Sequence, residues 1–369
     1  MRQKKQMKML GLLGLLAALP IISACAGNKG SDESRKEKMV QSVSVVQPIT
    51  GTWINLAYKD VRNKYTNPQH FDNMDPKLWT AKVRELANMG IEYLVFMEVA
   101  NEGKAYYPSK LMPWLYNDKL QSPVDAILDE AAKHGMKVFM STGWAKDQDD
   151  NLLDPVIKER QLQIMEELAS LYKNHKAFYG WYLPVEDCLC PIFAEHAVQS
   201  VNALTEKAHS LTPGKKTLIS PYGIGLSEFD HPDFEKQMAK LKVDIIAYQD
   251  EVGCVRDKFT LPRLKKNWQR MRDIHNRLNI EMWANCETFT WEEGTNDRQS
   301  ALIPAAYSRL LSQQVAASVA GVDKIISFMF GGIIEDPKSA YQLGQPVWSN
   351  NLYLSLIHIS EPTRRRGIS

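Results

Sequence analysis

The feature that most constrains the fold is an alternation of short apolar segments with amphipathic segments, which repeats along the chain from about residue 52. The apolar segments are mostly continuous and lack the polar–apolar alternation of strands with one wet face. Such strands are typical of a parallel sheet whose outer face is covered by helices. Eight strand–helix units can be counted in this way, and they predict a (β/α)8 TIM barrel.

The predicted strands include one from Phe178 to just before Glu186 and one from Ile280 to just before Glu287. The other six are Thr52–Tyr58, Tyr93–Glu98, Lys137–Gly143, Thr217–Tyr222, Val243–Gln249 and Lys324–Phe330. Seven helices are predicted at Pro76–Met89, Pro123–His134, Pro155–Tyr172, Phe193–Ser210, Asp233–Leu241, Leu261–Leu278 and Pro304–Ala320. A doubly wound open sheet is the alternative, but Ala57–Asp60 after the first strand lacks a glycine-rich phosphate turn.

The amino-terminal residues 1–24 predict a lipoprotein signal peptide rather than part of the fold. Four basic residues precede the apolar run Met9–Ile22, which is short for a membrane span. Ile22–Cys25 then resembles a lipobox, so we expect cleavage before Cys25 and lipid attachment to its thiol. An ordinary secretory signal is the alternative. Residues 25–48 are polar and charged and predict a flexible tether, which places the protein in the cell envelope, anchored to the outer membrane.

The carboxyl-terminal residues 354–369 resemble the conceptual translation of a sequencing adaptor, so we expect the barrel domain to occupy residues 49–353. Only Ser339–Leu352 then remains for the eighth helix, which predicts a truncated last helix. The net charge of +2 comes largely from the basic residues of the two ends, and the remainder of the chain is acidic. No basic stripe is present, so nucleic acid is not an expected partner.

Two glutamates carry the functional prediction. Glu186 and Glu287 follow the predicted fourth and seventh strands, and active sites of TIM barrels lie at the carboxyl ends of the strands. Two facing carboxyl groups are what the cleavage of a glycosidic bond requires. We expect Glu186 to be the acid/base, because it follows aromatic residues and adjoins Asp187, and Glu287 to be the nucleophile. Pairing of Glu287 with Glu98 or Asp250 remains an alternative.

Other polar and aromatic residues at the predicted strand ends suit a sugar, since rings stack on its C–H faces and amides or carboxylates bind its hydroxyls. Tyr248 is also expected to hydrogen-bond Glu287. The candidate substrate-binding residues are Asn55, Tyr58, Glu98, Trp144, Tyr182, Tyr222, Tyr248, Gln249, Asp250, Asn285 and Trp291.

Three stretches, Gly180–Pro184 with Glu186, Tyr248–Asp250 and Trp283–Phe289, resemble a family of bacterial lipoprotein barrels described as a domain of unknown function. That family is similar to retaining glycoside hydrolases of clan GH-A. The resemblance covers roughly residues 51–352 and implies a TIM barrel, a carbohydrate substrate and a Gram-negative glycan-degrading setting. One position departs from the clan: the residue before the strand-four acid, usually an asparagine that binds the sugar, is Val185 here.

We therefore expect a lipid-anchored retaining glycoside hydrolase that acts on an oligo- or polysaccharide, without a cofactor. A non-catalytic glycan-binding lipoprotein on the same barrel is the alternative, and Val185 favours it. A disulfide from Cys254 to Cys188 or Cys190 is one expectation outside the cytoplasm. No metal site is expected, because the cysteines lack a second close pair and the histidines are expected to be solvated or to cap helices.

Overall fold

The computed structural model describes residues 46–56, 62, 64–67, 75–101, 103–114, 121–143, 153–255, 260–294, 299–344 and 348–357. The signal peptide, Cys25, Tyr58, Trp144 and the chain from 358 onward lie outside these residues, so the predictions made for them stay predictions. The last residues of the expected tether are described. Gln47 donates hydrogen bonds from its backbone N–H to Ser318 Oγ (2.9 Å) and from its amide to the Val322 carbonyl (2.8 Å), so the chain is already fixed there.

Eight parallel strands close into a barrel, which confirms the predicted fold class. They are β1 (Ile49–Ile54), β2 (Tyr93–Phe96), β3 (Lys137–Ser141), β4 (Phe178–Tyr182), β5 (Lys216–Ile219), β6 (Ile245–Gln249), β7 (Glu281–Glu287) and β8 (Lys324–Phe328). Each strand pairs with its neighbours in chain order, and β8 closes the barrel on β1 through the pair Thr52 and Ser327.

Helices follow the strands and cover the outside of the barrel. They are α1 (Pro76–Met89), α2 (Pro123–Lys133), α3 (Pro155–Tyr172), α4 (Glu195–Leu211), α5 (Phe234–Met238), α6 (Leu261–His275), α7 (Tyr307–Ala320) and α8 (348–357). Three of them begin in the same way, with an Asp or Ser side chain that accepts a backbone N–H and a proline in the first turn. This arrangement satisfies otherwise unpaired amides, which is why the sequence predicted these starts. None of the described helices is long and apolar enough to cross a membrane.

The eighth helix differs from its prediction. It spans 348–357 instead of Ser339–Leu352, so it starts later and continues past residue 354. The reason lies in Glu335, whose carboxylate accepts the backbone N–H groups of Gly332 (3.0 Å) and Leu343 (3.1 Å). These bonds hold the chain after β8 in a loop through Leu343, so it cannot be helical there.

Two short antiparallel ribbons add to the rim of the barrel where the strands end. One pairs Ala100–Asn101 with Lys104–Ala105, and the other pairs Phe289–Trp291 with Leu302–Pro304. The second ribbon begins two residues after Glu287, so the expected nucleophile lies where the barrel strand passes into the rim.

A buried ion pair fastens the loop after β8 to α1. Lys82 Nζ lies 2.9 Å from Glu335 Oε2, and the two side chains are 1% and 0% exposed. Lys82 also contacts Glu85 and Ser339. Breaking such a pair costs more than its net contribution, because the remaining charge is left buried without its partner.

We therefore predict that Lys82→Met lowers the free energy of unfolding by about 3–5 kcal/mol. Replacing both partners, as Lys82→Met with Glu335→Gln, recovers part of that loss, because no charge remains buried and the Gln oxygen still accepts one of the two backbone N–H groups. Urea denaturation followed by circular dichroism measures both effects. The exposed pair of Lys236 and Asp233 is the control, and Lys236→Ala changes the same quantity by less than about 1 kcal/mol. A Lys82→Met protein as stable as the wild type contradicts the prediction.

Candidate active site

A cavity of about 610 Å³ lies among the carboxyl ends of β2 and β4–β8 and the loops that follow them. Three carboxylates, Glu186, Glu251 and Glu287, share this cavity with two amide side chains and a tyrosine. Its apolar lining consists of Met97, Leu226, Cys254, Val255, Phe289 and Phe328. Of the predicted site residues, the structure brings together Glu186, Glu287, Tyr222, Gln249 and Asn285 in this cavity.

Glu186 lies four residues beyond the end of β4, and its side chain is exposed at the cavity. Gln249 at the end of β6 donates a hydrogen bond from Nε2 to Glu186 Oε1 (2.9 Å). The same Nε2 donates to the Ser220 carbonyl (3.1 Å), which anchors the amide to β5. Glu186 is thus held from β6, two strands away in the barrel, while it remains open to water.

Glu287 is the last residue of β7 and is almost completely buried, with 4% of its surface exposed. Its Oε2 accepts the backbone N–H of Cys254 at 2.6 Å. The chain beside it must be glycine, because a Cβ on Gly253 would lie 2.9 Å from Glu287 Oε2 and 2.4 Å from the Phe289 carbonyl. The loop after β6 is therefore packed directly against this carboxyl group.

Asp250 lies behind Glu287 and does not line the described cavity, so its predicted role as a substrate contact is wrong. The side chain is fully buried and accepts the backbone N–H of Glu287 (3.1 Å) and of Val252 (3.3 Å). Its Oδ2 accepts the amide of Gln313 on α7 (2.6 Å). Successive side chains at the end of a strand point alternately into the barrel and out toward the helices, and Asp250 points toward the helices.

Glu287 and Asp250 together determine where a proton resides in the free site. Burial, together with the nearby Asp250 carboxylate, raises the pKa of Glu287 to about 8. Burial also raises the pKa of Asp250, but Gln313 and two backbone amides donate to that carboxylate. Because Glu287 accepts only the Cys254 N–H among its described contacts, we assign the charge to Asp250 and the proton to Glu287 at neutral pH.

A recess of about 20 Å³ continues from the cavity into the barrel. Trp53 and Tyr182, whose ring centroids are 4.6 Å apart, line it together with Ser220. Tyr182 is thus near the site as predicted, but it is only 3% exposed and borders the recess rather than the open cavity. A volume of this size holds about one water molecule or one small polar group.

Tyr248 does not contact Glu287, and that expectation is wrong. Its hydroxyl lies 2.7 Å from His275 Nε2, on the helix side of β6. Since His275 Nδ1 donates to the Ile280 carbonyl (2.9 Å), Nε2 accepts the tyrosine proton. Burial lowers the pKa of His275 to about 4, so the imidazole is neutral. His275 is therefore a buried structural group, not the solvated residue expected from its position near a helix end.

Three further predicted contacts are placed outside the cavity lining. Glu98 is buried and accepts the backbone N–H of Leu56 at 3.1 Å, so it fixes the chain after β1. Asn55 donates to the Met97 sulfur at 3.6 Å. Trp291 donates from its indole to the Cys254 carbonyl at 3.2 Å, which supports the loop beside Glu287. These side chains hold the loops of the site, and the cavity itself is lined by others.

Several lining residues were missed from the sequence. Phe328 is the last residue of β8, but the predicted strand ran on to Phe330 and so concealed its position. Leu226 and Gly225 lie in the loop after β5, where no pattern marked them. Glu251, two residues after the end of β6, is a strand-end carboxylate that the sequence does mark, and it lines the cavity. It is the one non-glycine among the described residues with a positive φ, 55°.

Cys188 and Cys190 form a disulfide with each other, so the expected disulfide from Cys254 to one of them is wrong. The Cα atoms of Cys188 and Cys190 are 5.2 Å apart, within the range that a disulfide spans. Leu189 between them donates its backbone N–H to the Tyr222 carbonyl (2.8 Å), and Tyr222 donates to the Asp187 carbonyl (3.2 Å). The loop after Glu186 is thereby tied to Tyr222.

The part of the chain that the structure describes holds no cluster of three or more His, Cys, Asp or Glu residues arranged for a metal ion. A second cavity, of about 30 Å³, lies between β1, α1 and α8 and is lined mainly by apolar side chains. That volume is too small for a sugar ring. The cavity at the carboxyl ends of the strands is the candidate active site, because three carboxylates meet there at the end of the barrel where TIM-barrel active sites lie.

The proton on Glu287 has a consequence for stability. A carboxyl group whose pKa is raised from 4.5 to about 8 in the folded protein stabilises the fold below pH 4.5, and this contribution is lost as the pH rises through 8. Glu287→Gln keeps an oxygen for the Cys254 N–H and cannot ionise. We predict that this variant is more stable than the wild type at pH 8.5, by on the order of 1–3 kcal/mol, and that the gain shrinks toward pH 4.5.

Thermal melts of the two proteins across this pH range measure the difference. Glu206→Gln, on the exposed face of α4, is the control and shows no such gain. A Glu287→Gln protein whose melting temperature parallels that of the wild type at every pH contradicts the assignment of the proton.

Comparison with known proteins gives curated relatives with a stated activity and several solved barrels. One of these relatives is the glycosyl hydrolase DigH of Escherichia coli (strain K12), 29% identical over 144 residues. The match covers 35% of this chain and 32% of that protein, so the chain spans about a third of the length of the curated relative it matches.

Among solved structures, a putative alpha-L-fucosidase from Bacteroides thetaiotaomicron superposes with a TM-score of 0.66 at 20% identity, over 86% of this chain and 94% of that one. A GH5_18 protein from Streptomyces cattleya in complex with Manb1-4GlcNAc gives 0.54 at 12% identity, over 88% and 82%. These likenesses show the barrel fold. A family model described as "Domain of unknown function (DUF4434)" matches residues 49–341, and the chain belongs to that family.

Proposed function

We propose that this protein is a glycoside hydrolase that acts through a retaining two-carboxylate mechanism, with Glu186 as acid/base and Glu287 as nucleophile. The observation that carries the proposal is that these two carboxyl groups, from β4 and β7, line one cavity together with two amides and an exposed tyrosine. The name of the E. coli relative supports the reaction class. The substrate class that fits this lining is an oligo- or polysaccharide.

The proposed reaction has two steps. In the first, Glu186 donates its proton to the glycosidic oxygen while Glu287 attacks the anomeric carbon, so the bond to the leaving sugar breaks and a glycosyl ester forms. In the second, Glu186 takes a proton from water, and the oxygen of that water attacks the same carbon and releases Glu287. The sugar released in the second step therefore has the same anomeric configuration as the bond that was cleaved.

The surroundings of each carboxyl group favour this division of roles. Glu186 is exposed, so it can exchange protons with water between the two steps. Glu287 is held by the Cys254 N–H and by the packing of Gly253, which restricts the attacking group to one position. Tyr222 has 40% of its surface exposed at the cavity and offers a ring face to a sugar.

Glu186→Gln and Glu287→Gln should each lower kcat/KM by at least about 10²-fold, because each removes a group that donates a proton or forms a bond in the transition state. Hydrolysis of a panel of nitrophenyl glycosides and oligosaccharides measures the rates, and proton NMR of the first-formed anomer tests retention. Glu206→Gln on α4 is the matched control and keeps wild-type rates. Unchanged turnover in either cavity variant, or inversion of configuration, refutes the mechanism.

The proposed mechanism needs one proton in the site, on Glu186, while Glu287 is ionised, and the pKa of Glu287 is raised to about 8 in the free site. We therefore predict that kcat/KM falls as the pH increases through about 8, because the pair of glutamates then loses the proton that Glu186 has to donate. Asp250→Asn removes the neighbouring charge and shifts this fall to lower pH. The pH profile of kcat/KM for both proteins is the measurement. A profile that keeps rising through about 8 contradicts a single proton shared by these two groups.

A non-catalytic glycan-binding protein is the second candidate function. Two observations favour it: Glu287 holds a proton at neutral pH, and Val185 is buried and contributes nothing to the cavity lining. Calorimetric titration with glycans separates the two functions. Binding without turnover in the wild type, unchanged by Glu287→Gln, supports the binding protein.

A further inference from the structure

Asn285 carries a buried acceptor that the protein does not pair. The residue lies on β7 two positions before Glu287, is 1% exposed, and lines both the cavity and its recess. Its Nδ2 donates to Ser220 Oγ at 3.1 Å. Its Oδ1 is buried and has no hydrogen-bond partner. Buried amide oxygens without a donor are rare, because their loss of water is not compensated.

The orientation of this amide follows from its neighbour. The hydroxyl of Ser220 donates its single proton to the Ala247 carbonyl at 2.7 Å, so its oxygen can only accept a hydrogen bond from Asn285. The amide nitrogen must therefore face Ser220, and a flip of the amide would place two acceptors together. Oδ1 is thus the atom that is left without a donor.

Gln249 belongs to the same arrangement. It lies directly opposite Asn285 in the register of β6 and β7, and it lines the cavity and the recess as well. Its Nε2 donates to Glu186 and to the Ser220 carbonyl. Both amides are therefore anchored on Ser220, and Glu186 is bonded to one of them. Glu186 and Asn285 line the same recess, so a sugar in contact with Glu186 lies next to Asn285.

We propose that Asn285 and Gln249 form a subsite for one hydroxyl group of the sugar bound at Glu186 and Glu287, with that hydroxyl donating to Asn285 Oδ1. The inference rests on the proposed function, since it assigns a part of the same cavity. The recess, of about 20 Å³, has room for a group of this size. A methyl group there leaves the acceptor unpaired, and a carboxylate is repelled by the same oxygen and by Glu186.

The test is a double-change cycle between the protein and the substrate. The wild type and Asn285→Ala are each assayed with one good glycoside and with the series of its monodeoxy analogues. For one analogue, removal of the hydroxyl lowers kcat/KM of the wild type by about 10- to 100-fold. Asn285→Ala lowers kcat/KM for the parent glycoside by a similar factor and then shows little further loss with that analogue. Asn202→Ala is the control, since it removes an amide bonded to the backbone of residues 240 and 242. In this variant the ratio of kcat/KM between the parent glycoside and each analogue stays as it is in the wild type.

The cycle also separates this inference from the proposed function. If turnover is found but the effects of Asn285→Ala and of each deoxy position simply multiply, the subsite is refuted while the hydrolase stands. If no glycoside is turned over, the same cycle is measured on Kd by calorimetry, and non-additivity there supports the subsite without hydrolysis. Failure of every glycoside to be hydrolysed or bound overturns both.

Discussion

The hydrogen-bonded closure of β8 onto β1 determines where every candidate side chain lies. Once the ring of parallel strands is closed, all strand ends meet at one rim, and each strand offers its last residues in strict alternation to the inside and the outside. Gln249, Asn285 and Glu287 take inward positions that line the cavity. Tyr248 and Asp250 take the intervening positions and face the helices.

Because two neighbouring carboxyl groups are buried at the end of the barrel, a helix outside the barrel supplies hydrogen-bond donors to the site. Asp250 is fully enclosed, and α7 supplies Gln313 to its carboxylate. Arg309, one helical turn earlier, donates to the carbonyls of Glu287 and Phe289. Donors from α7 thus stabilise the charge on Asp250 and the backbone around Glu287, while the cavity side of Glu287 stays open to a ligand. The ionisation of the expected nucleophile is therefore determined partly from outside the barrel.

Much of the fold was predictable because its signals are local. Proline after an Asp or Ser cap marked the starts of α1, α2 and α3, and the apolar runs located all eight barrel strands. The two glutamates followed from the strand count. Side-chain direction was less accessible, because it depends on the residue at which a strand ends. The predicted end of β8 was two residues too late, which concealed the position of Phe328. Tyr248 was assigned to the inner face of β6, which its neighbour Gln249 occupies. The alternation of side-chain direction along β6 and β7 would have corrected the second error.

The close approach of Gly253 to Glu287 has a consequence for how this scaffold can change. In many TIM barrels the loops after the strands vary separately, which lets one framework host many activities. Here the loop after β6 contacts the β7 carboxylate so closely that a Cβ at residue 253 collides with it, and the same loop donates the Cys254 N–H. Transplanting this loop alone would therefore leave a collision or an unpaired carboxylate. A graft that preserves the site must move the β6 loop, β7 and α7 as one block.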